Sequence, residues 1–439
     1  MIYRHTLLLI IVFSLLSSFA SSGFGQINKN DSLELKPLIN KVIQTYPTVQ
    51  QANEALNAAD LRIALARSAY LPNAAVAGSF AHIGPVPSLT IPDLGTLSLA
   101  PANNINAALN INQTISDFGK TRKNIEFEEK SKELSTISVE QIKQRLSLLS
   151  IGCYYNLLYF QEAIAIKDEQ LSTLKVHLKN VEKQVETGSA TQYEILSTKV
   201  RISTVESQKT DVITALNFQN SLLNMLLGDP TTTEHRVRNV LHSDLVPFSE
   251  DSLIGVALNN RNEMKLAEKK IVVSQAYQDL VKMHENPVIS AFASGGWKNG
   301  YIPALERPRA NYAIGLSLLI PIYDASRTKL NTRLAGSVIL SNRFDLDLAK
   351  RTITTEVLES INNLKAAISK SQLFELQFSQ AKKALELADL KYKSGTLTNL
   401  DLLGVENAES ESRLQYLKAR IDRVVSAYKV KAALGMNLY

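Results

Sequence analysis

Two long stretches without proline dominate the pattern of this chain, and each is consistent with one continuous helix. The first runs from just after Asp117 to Gly188, and the second from just after Asp324 to Gly395. A proline removes a backbone donor and clashes with the preceding turn, so a stretch without proline can form an unbroken helix. At about 1.5 Å per residue, a helix of about 70 residues is roughly 105 Å long. Such a rod must pack against other rods along its length.

Apolar residues of the first rod recur at alternating intervals of three and four, which predicts a coiled-coil seam. The seam residues are Val139, Ile142, Leu146, Leu149, Cys153, Leu171, Leu174, Leu178, Val181 and Val185. Tyr155, Leu158 and Ile166 lie off this seam, so more than one face of the rod is predicted to be covered.

The part of this rod from Leu146 to Ile166 is apolar enough for a second interpretation, an inner-membrane helix. It contains the polar residues Ser147, Ser150, Asn156, Gln161 and Glu162. Because the seam also continues on both sides, a buried stretch of a helical bundle is the favoured interpretation.

Segments with alternating apolar and polar residues predict four strands. They are Asn73 to Ile83, Ile105 to Asn112, Pro287 to Trp297 and Asn311 to Ile322. In the second of them Ile105, Leu109 and Ile111 share one face, whereas the other face is rich in asparagine. Each pair of strands is joined by a segment rich in turn residues, which predicts two hairpins.

The same order of elements occurs twice along the chain: a helix, a strand hairpin, a long rod and a shorter closing helix. The other helices are predicted at Leu38 to Tyr70, Gln192 to Leu227, Ser252 to Met283, and from just after the second rod to Leu434. Three landmark pairs, Asp117 and Asp324, Gly188 and Gly395, Gly228 and Gly435, are each 207 residues apart. We therefore predict a tandem duplication, with a first repeat at 26–230, a linker at 231–251 and a second repeat at 252–439.

Composition and charge narrow the class of protein. Of the 439 residues, 21% are charged and 45% are hydrophobic, which fits one extended helical architecture. The net charge is only +6 and no basic run occurs, so nucleic acid is not an expected partner. The only cysteine, Cys153, cannot form a disulfide within the chain.

Residues 1–25 have the pattern of a secretory signal peptide. Arg4 and His5 precede an apolar run from Leu7 to Leu16, and a stretch of small residues follows. The alternative, a membrane anchor, is disfavoured because about ten apolar residues cannot cross a bilayer that needs about 20. We expect cleavage between Ala20 and Gln26.

Strands of this length with alternating faces have the dimensions of strands in outer membrane barrels. A barrel in lipid must close, because no water satisfies the backbone groups of an open edge, and four strands are too few. Two chains would give an eight-stranded barrel filled by side chains, whereas three would give a twelve-stranded barrel with a lumen. The amide-rich faces favour a wet interior and hence a trimer. The predicted fold class is mainly α with a membrane β-barrel contribution.

The chain resembles the TolC-type outer membrane efflux channel family over essentially all of the residues after the signal peptide. The resemblance is carried by Tyr70-Leu71-Pro72, by Gln113-x-Ile115-x-Asp117-Phe118-Gly119, and by the paired reversals Glu186 to Leu196 and Lys393 to Leu403. It implies a homotrimer with twelve strands in the outer membrane lipid and a helical tunnel in the periplasm. It also implies docking to an inner-membrane pump through a periplasmic adaptor.

The two reversals correspond to the periplasmic tips of the family, and the resemblance implies roles for their residues. Adaptor docking is implied for Gly188, Ser189, Ala190, Thr191, Gly395, Thr396, Leu397 and Thr398. A periplasmic gate is implied for Glu194, Tyr392 and Asp401. Tyr392 and Glu194 match a tyrosine and an acid that bridge the closed gate in the best-known member, and Asp401 matches an acidic ring position. Gly404 stands where the best-known member has a second acidic residue, and Asn262 stands where a proline is usual.

The same reversals also have a purely structural interpretation. Both glycines suit the left-handed conformation that ends a helix. Thr191 with Glu194, and Thr398 with Asp401, have the spacing of an N-cap with an acidic residue three positions further on. Capping alone would explain these carboxylates, so both interpretations stay open.

No pattern for catalysis, a cofactor or a metal site stands out. The six histidines are scattered without ligand spacing, and no nucleophile elbow or phosphate-binding loop occurs. We therefore expect neither an enzyme nor a cofactor-binding or metal-binding protein. The predicted function is a passive exit duct of a tripartite efflux or type I secretion system. The alternative is a periplasmic coiled-coil adaptor or structural protein, in which the strands form a small soluble cap.

Overall fold

The computed structural model describes residues 32–93, 95–241 and 250–439 as long helices joined to one small sheet. The helices are α1 (Leu35–Thr45), α2 (Pro47–Ser68), α3 (Lys120–Glu186), α4 (Gln192–Leu227), α5 (Glu250–Asn260), α6 (Asn262–Lys282), α7 (Arg327–Lys393) and α8 (Asn399–Ala433). The strands are β1 (Asn73–His82), β2 (Ser88–Ile91), β3 (Gly95–Ser98), β4 (Asn103–Ser116), β5 (Val288–Lys298) and β6 (Arg309–Leu319). The predicted signal peptide lies outside the described residues.

The two predicted rods are confirmed as α3 and α7, and each has 67 residues. An aspartate fixes the start of each rod. Asp117 accepts a hydrogen bond from the backbone nitrogen of Thr121 at 2.7 Å, and Asp324 accepts one from that of Thr328 at 2.8 Å. Hydrogen bonds from the Thr328 hydroxyl and backbone hold the pKa of Asp324 below its ordinary value. Each rod therefore begins with a carboxylate on its free amide groups.

The predictions of single helices over Leu38–Tyr70 and Ser252–Met283 are wrong in the same way, because each is divided in two. Helices α1 and α2 meet at Tyr46, whose ψ angle of 130° is extended. Pro47 explains that break, since a proline disfavours the helical conformation of the residue before it. Helices α5 and α6 meet at Arg261, which has a ψ angle of 132° although no proline follows.

Tertiary contacts hold the break at Arg261. Its guanidinium donates from Nε to Glu263 at 2.8 Å and from Nη1 to Glu356 on α7 at 2.6 Å. Gly435, just after α8, packs so closely that a Cβ atom there would lie 2.8 Å from the Arg261 nitrogen. The second break is therefore held by packing around an arginine instead of by a local proline.

One antiparallel sheet joins the two halves of the chain. Its strand order is β1-β4-β5-β6, so each predicted hairpin is present and the two hairpins pair through β4 and β5. Strands β2 and β3 form a separate small hairpin within Gly84 to Asn104, which the sequence analysis had treated as a loop. The sheet has two unpaired edges, β1 and β6.

The strand register gives the sheet two chemically different faces. The first, called here the apolar face, carries Val76, Phe80, Ile105, Leu109, Ile111, Trp297, Tyr312, Ile314 and Leu316. The second, called here the polar face, carries Ser79, Asn106, Asn110, Asn112, Ser290, Ser294, Lys298, Arg309, Asn311 and Ser317. On the apolar face Val76 and Ile314 are each 80% exposed, so this chain does not cover it. Val288, Phe292 and Leu319 are apolar exceptions on the polar face, and the ring of Phe292 lies over Gly315.

The helices lie side by side in an order that follows the strands. Near the sheet the neighbours are α2, α3, α6 and α7, which connect to β1, β4, β5 and β6 respectively. Beyond α2 and α6, the neighbours are α4, α3, α8 and α7. Helix α7 is therefore at one edge of the molecule over its whole length.

The largest core cluster surrounds the middle of α3. Its centre includes Ile151, Tyr154, Leu157 and Leu158, packed against residues of α1, α4 and α8. The prediction that Leu149 belongs to the buried seam is wrong, because this residue is 53% exposed. Tyr155, Leu158 and Ile166, which lie off the seam, are buried as predicted. Leu146 to Ile166 is thus a stretch inside a bundle. Among the described residues, no helix is both long and apolar enough to cross a membrane.

Part of the predicted linker packs along the outside of α3. Val237 forms an isolated parallel bridge with Leu33, and the Tyr154 hydroxyl donates to the backbone oxygens of Leu33 and Arg238 at 3.2 and 2.7 Å. Gln161 of α3 donates to the backbone oxygen of His235 at 2.6 Å. Residues 231–241 therefore attach the start of the described chain to the first rod.

Candidate functional site at the helical tips

Each pair of long and short helices ends in a tight reversal at a glycine. Gly188 has a φ angle of +76° and Gly395 one of +73°, a conformation that favours glycine. The nitrogen of Ser189 donates to the oxygen of Gln184 at 2.7 Å, and the equivalent bond after Gly395 is 2.9 Å. This pattern is a Schellman motif, which satisfies the last carbonyl groups of α3 and α7.

The residues assigned to docking form the surface of these reversals. Gly188, Ser189, Thr191, Gly395, Thr396 and Thr398 are exposed, while Ala190 and Leu397 are half-buried. The reversals thus present small and hydroxyl side chains together with backbone, and only one larger apolar side chain, Leu397. Such a surface suits contact with another protein without a chemical reaction.

The two predicted N-caps differ in the structure. Thr398 accepts a hydrogen bond from the backbone nitrogen of Asp401 at 3.2 Å and donates to its carboxylate at 2.6 Å. The hydroxyl of Thr191 lies 3.4 Å from the Glu194 carboxylate and caps no backbone amide. The capping interpretation therefore holds fully for α8 and only weakly for α4.

A histidine that the sequence analysis passed over joins the two halves of the tip. His177 of α3 is buried, and its Nε2 donates to the side-chain oxygen of Asn399 at 2.6 Å. The Asn399 side-chain nitrogen donates in turn to the backbone oxygen of Glu194 at 3.4 Å and to the Ser197 hydroxyl at 3.3 Å. The start of α8 is therefore tied to both α3 and α4.

Tyr392 lies in the same contact region. Its hydroxyl donates to the side-chain oxygen of Gln184 at 3.2 Å, and its ring packs on His177 with the centroids 5.2 Å apart. Burial, and next the negative charge of Glu194, raise the pKa of Tyr392, so the hydroxyl stays a donor at neutral pH. Within the described chain the Tyr392 hydroxyl bonds Gln184 of α3, and the proposed link to Glu194 stays a prediction.

Asp401 and Gly404 lie on the exposed part of the first two turns of α8. Space is open where a Cβ atom of Gly404 would stand. Beside it is a groove of about 600 Å³ between α4 and α8, lined largely by apolar residues that include Tyr193, Leu196, Val200, Leu400 and Leu403. The carboxylate predicted for a ring therefore stands near an uncovered apolar groove.

Further from the tip, a layer of buried polar side chains connects α3, α4 and α8. Lys167 donates to Gln170 at 3.2 Å and to Gln208 at 2.9 Å, and Ser410 donates to Gln170 at 2.9 Å. Burial, and next the nearby charge of Arg201, lower the pKa of Lys167. This layer has no apolar periodicity to mark it, which is why the sequence analysis missed it.

Within the described part of the chain, no cluster of three or more histidine, cysteine, aspartate or glutamate side chains is placed to hold a metal ion. Among the charged groups at the tip, Asp401 bonds the hydroxyl of Thr398 at the start of its own helix, and Lys393 pairs with Asp389 one turn earlier on α7. The arrangement provides surfaces and links between helices.

Comparison with known proteins gives the chain a family. The model of the family described as "Outer membrane efflux protein" matches residues 38–229 and 253–436. Outer membrane protein TolC of Salmonella enteritidis is 20% identical over 432 residues, which are 96% of this chain and 85% of that protein. Outer membrane efflux protein BepC of Brucella suis biovar 1 is 22% identical over 385 residues, 86% of this chain and 79% of that protein.

The fold is shared with a solved structure. The crystal structure of the Campylobacter jejuni CmeC outer membrane channel superimposes with a TM-score of 0.76 at 14% identity, covering 91% of this chain and 85% of that chain. The family model is matched in two successive segments, in agreement with the internal repeat. The resemblance found in the sequence is confirmed, and this chain belongs to the outer membrane efflux protein family.

Proposed function

We propose that three copies of this protein form one exit duct, with a twelve-stranded barrel in the outer membrane and a helical tunnel in the periplasm. The family consists of outer membrane channels, and the protein is such a channel of a tripartite efflux or secretion system. The trimer, the adaptor, the pump and the individual roles of the tip residues are the proposed part. The domain organisation proposed with it is a signal peptide at 1–25, repeats at 26–230 and 252–439, and a linker between them.

The observation that carries the trimer is the sheet with two unlike faces and two open edges. Its apolar face is exposed in the single chain, as a lipid-facing surface must be before it is inserted. The unpaired edges are β1 and β6. In a bilayer these edge groups have no water to bond, so β6 of one copy must pair with β1 of the next until the sheet closes.

The helices support the same closure. In each copy the edges of the helical layer are α2 and α4 on one side and α7 on the other. Large exposed apolar residues of α7 include Leu330, Leu334, Phe344, Leu348, Leu373 and Leu390, each at least 60% exposed. Leu61 and Leu65 on α2 are 71% and 72% exposed, and Phe218 on α4 is 65% exposed. Packing α7 against α2 and α4 of a neighbouring copy would bury both sets together.

The tip residues fit docking and gating in this assembly. Docking by an adaptor is proposed at the two exposed reversals around Gly188 and Gly395. Gating is proposed for Glu194, Tyr392 and Asp401, because Tyr392 connects α7 to α3 and Asp401 is exposed at the start of α8. Three Asp401 carboxylates around one axis would attract cations and resist full ionisation as they approach each other.

The adaptor alternative from the sequence analysis predicts a different molecule. A periplasmic adaptor would have its strands covered by its own chain, and it would conduct no current. Family membership disfavours it, since the matched model covers both repeats of an outer membrane efflux protein.

Assembly and docking are tested together in cells. A photo-crosslinking residue placed at Ser189 or Thr396 is expected to capture an adaptor, whereas the same residue at Ile302, in the β5–β6 loop, is expected to capture none. Purified outer membrane fractions should contain a heat-modifiable species of trimer size that conducts in planar bilayers. A soluble, monodisperse single subunit without conductance would contradict the proposal.

A further inference from the structure

At the end of the sheet furthest from the helices, two cations stand side by side on the polar face. Lys298 is the last residue of β5 and Arg309 is the first of β6, and the two are direct partners in the register. Directly opposed side chains of an antiparallel pair have Cβ atoms about 4.5–5.5 Å apart, and like charges there destabilise the sheet. An arrangement that opposes sheet stability points to a role other than folding.

The same row of the sheet continues with neutral polar groups. Asn106 of β4 is the partner of Lys298, and Ser79 of β1 is the partner of Asn106. Across the four strands, this row therefore consists of a hydroxyl, an amide, an ammonium and a guanidinium group. Each of these groups can donate a hydrogen bond, and two carry a positive charge.

No carboxylate balances these charges in the sheet. The sequences of β1, β4, β5 and β6 contain no aspartate or glutamate, and Lys298 and Arg309 are their only lysine and arginine. In the described loops at this end, Asp93 and Glu306 form no ion pair with either cation. The Lys298 ammonium instead lies 5.4 Å from the centre of the Tyr301 ring, which leaves it free to attract an anion.

The height of the row along the barrel follows from its neighbours. Trp297 and Tyr312, on the apolar face, are one and three positions from Lys298 and Arg309 and are 63% and 83% exposed. Tryptophan and tyrosine collect at the two borders of a membrane barrel. The row therefore lies at the outer border of the membrane, where the lumen opens.

We propose that Lys298 and Arg309 form a cationic ring at the exit of the duct that binds small polyanions such as carboxylates, phosphates and sulfonates. The proposal rests on the trimer proposed above, in which three copies bring six cations and three donor rows to one mouth. A concave mouth lined by one sign of charge raises the local concentration of solutes of the opposite sign. The ring favours release of anionic solutes along the duct and disfavours entry of cations from outside.

The test uses the detergent-solubilised, full-length trimer and the trisulfonated dye pyranine in equilibrium dialysis at low and high salt. Binding that weakens with salt is expected for the unchanged protein, with at least a fivefold loss of affinity for the double variant Lys298→Gln with Arg309→Gln. The charge-conserving swap Lys298→Arg with Arg309→Lys should keep binding within twofold. Arg307→Gln is the matched control for the single variants Lys298→Gln and Arg309→Gln, since it also removes one positive charge, but from the β5–β6 loop and not from the row.

Channel recordings give a second readout. In a potassium chloride gradient the double variant should shift the reversal potential toward the value for potassium, while Arg307→Gln should not. Dye affinity that is unchanged in the double variant would overturn the cationic ring. A loss in Arg307→Gln as large as in the single variants would also overturn it, and would assign binding to the overall charge. If the double variant releases bound lipopolysaccharide and still binds the dye, the two cations bind lipid headgroups. That result would also refute the cationic ring.

The two proposals fail in different ways. If the protein is not a trimer, the exit duct itself is refuted. If trimers form and the dye does not depend on Lys298 and Arg309, only the cationic ring is refuted. Both side chains are exposed at strand ends, and the single variants Lys298→Gln and Arg309→Gln provide intermediate losses should the double variant fail to assemble.

Discussion

The two rods α3 and α7 have equal length and equivalent places in the repeat, yet they differ sharply in burial. Helix α3 buries 19 residues and α7 buries 9. The reason is position, because α3 has helices on both sides and α7 forms an edge. The duplicated sequence therefore forms one rod that is buried within its own chain and one whose apolar residues are left exposed at the edge.

The largest expected effect separates assembly from folding. Leu334→Asp with Phe344→Asp places two charges on the exposed apolar side of α7, where burial against a neighbour would leave them unpaired. We expect the heat-modifiable trimer to fall at least tenfold, with the helical circular dichroism of the chain retained. Arg343→Gln with Lys350→Gln changes the net charge by the same amount at exposed positions about half a turn around α7 from Leu334, and should leave the trimer intact. An equal loss of trimer in both double variants would mean that the exposed apolar side of α7 has no special role in assembly.

The core side of the comparison is tested by truncation. Leu157 on α3 has no exposed surface, so Leu157→Ala is expected to lower the free energy of unfolding by about 2–5 kcal/mol. Leu334→Ala on α7, measured in the dissociated chain, should lower it by less than about 1 kcal/mol, as is usual for surface substitutions. Urea unfolding followed by circular dichroism measures both. Similar losses would mean that α7 has a core contact within its own chain.

The contact between the rods at the tip is expected to control current. Tyr392→Phe with Glu194→Gln removes the hydroxyl that bonds Gln184 of α3 and the neighbouring negative charge. Because about one hydrogen bond is lost, we expect single-channel conductance to rise several-fold. Tyr193→Phe with Glu186→Gln makes the same chemical changes at exposed tip positions and should leave conductance unchanged. Currents unaltered at all voltages in the first pair would refute the gating role of Tyr392 and Glu194.

The smallest expected effect concerns the helices that follow the rods. Thr398→Ala removes the N-cap of α8 and should cost about 1 kcal/mol, seen as faster hydrogen exchange of the Asp401 amide. Thr191→Ala, after α3, should change exchange much less, because that hydroxyl caps no backbone amide. Equal acceleration at both sites would show that the two reversals are capped alike.

Prediction from the sequence succeeded where a local signal was strong. The reversals at Gly188 and Gly395, the start of the rods at Asp117 and Asp324, and the helix from Gln192 to Leu227 all follow from residue type and spacing. Alternation in the second predicted strand likewise put Ile105, Leu109 and Ile111 on one face, and the register agrees.

Prediction failed where a contact distant in sequence decides the conformation. Nothing adjacent to Arg261 ends a helix, and the break is held by Glu356 on α7 and by the close approach of Gly435. Pro47 was a local signal for the corresponding break and was overlooked. His177 looked isolated, since its partner Asn399 lies 222 positions further along the chain.

The sequence alone determined the repeat, the two rods, the four main strands and the family, because periodicity, proline placement and helix-ending glycines act over a few neighbouring residues. Only the tertiary structure decided that α3 is a core and α7 an edge, that Tyr392 bonds Gln184, and that Lys298 stands beside Arg309. These facts depend on which segments become neighbours. Packing settles that choice over the whole chain, and no short stretch of residues contains it.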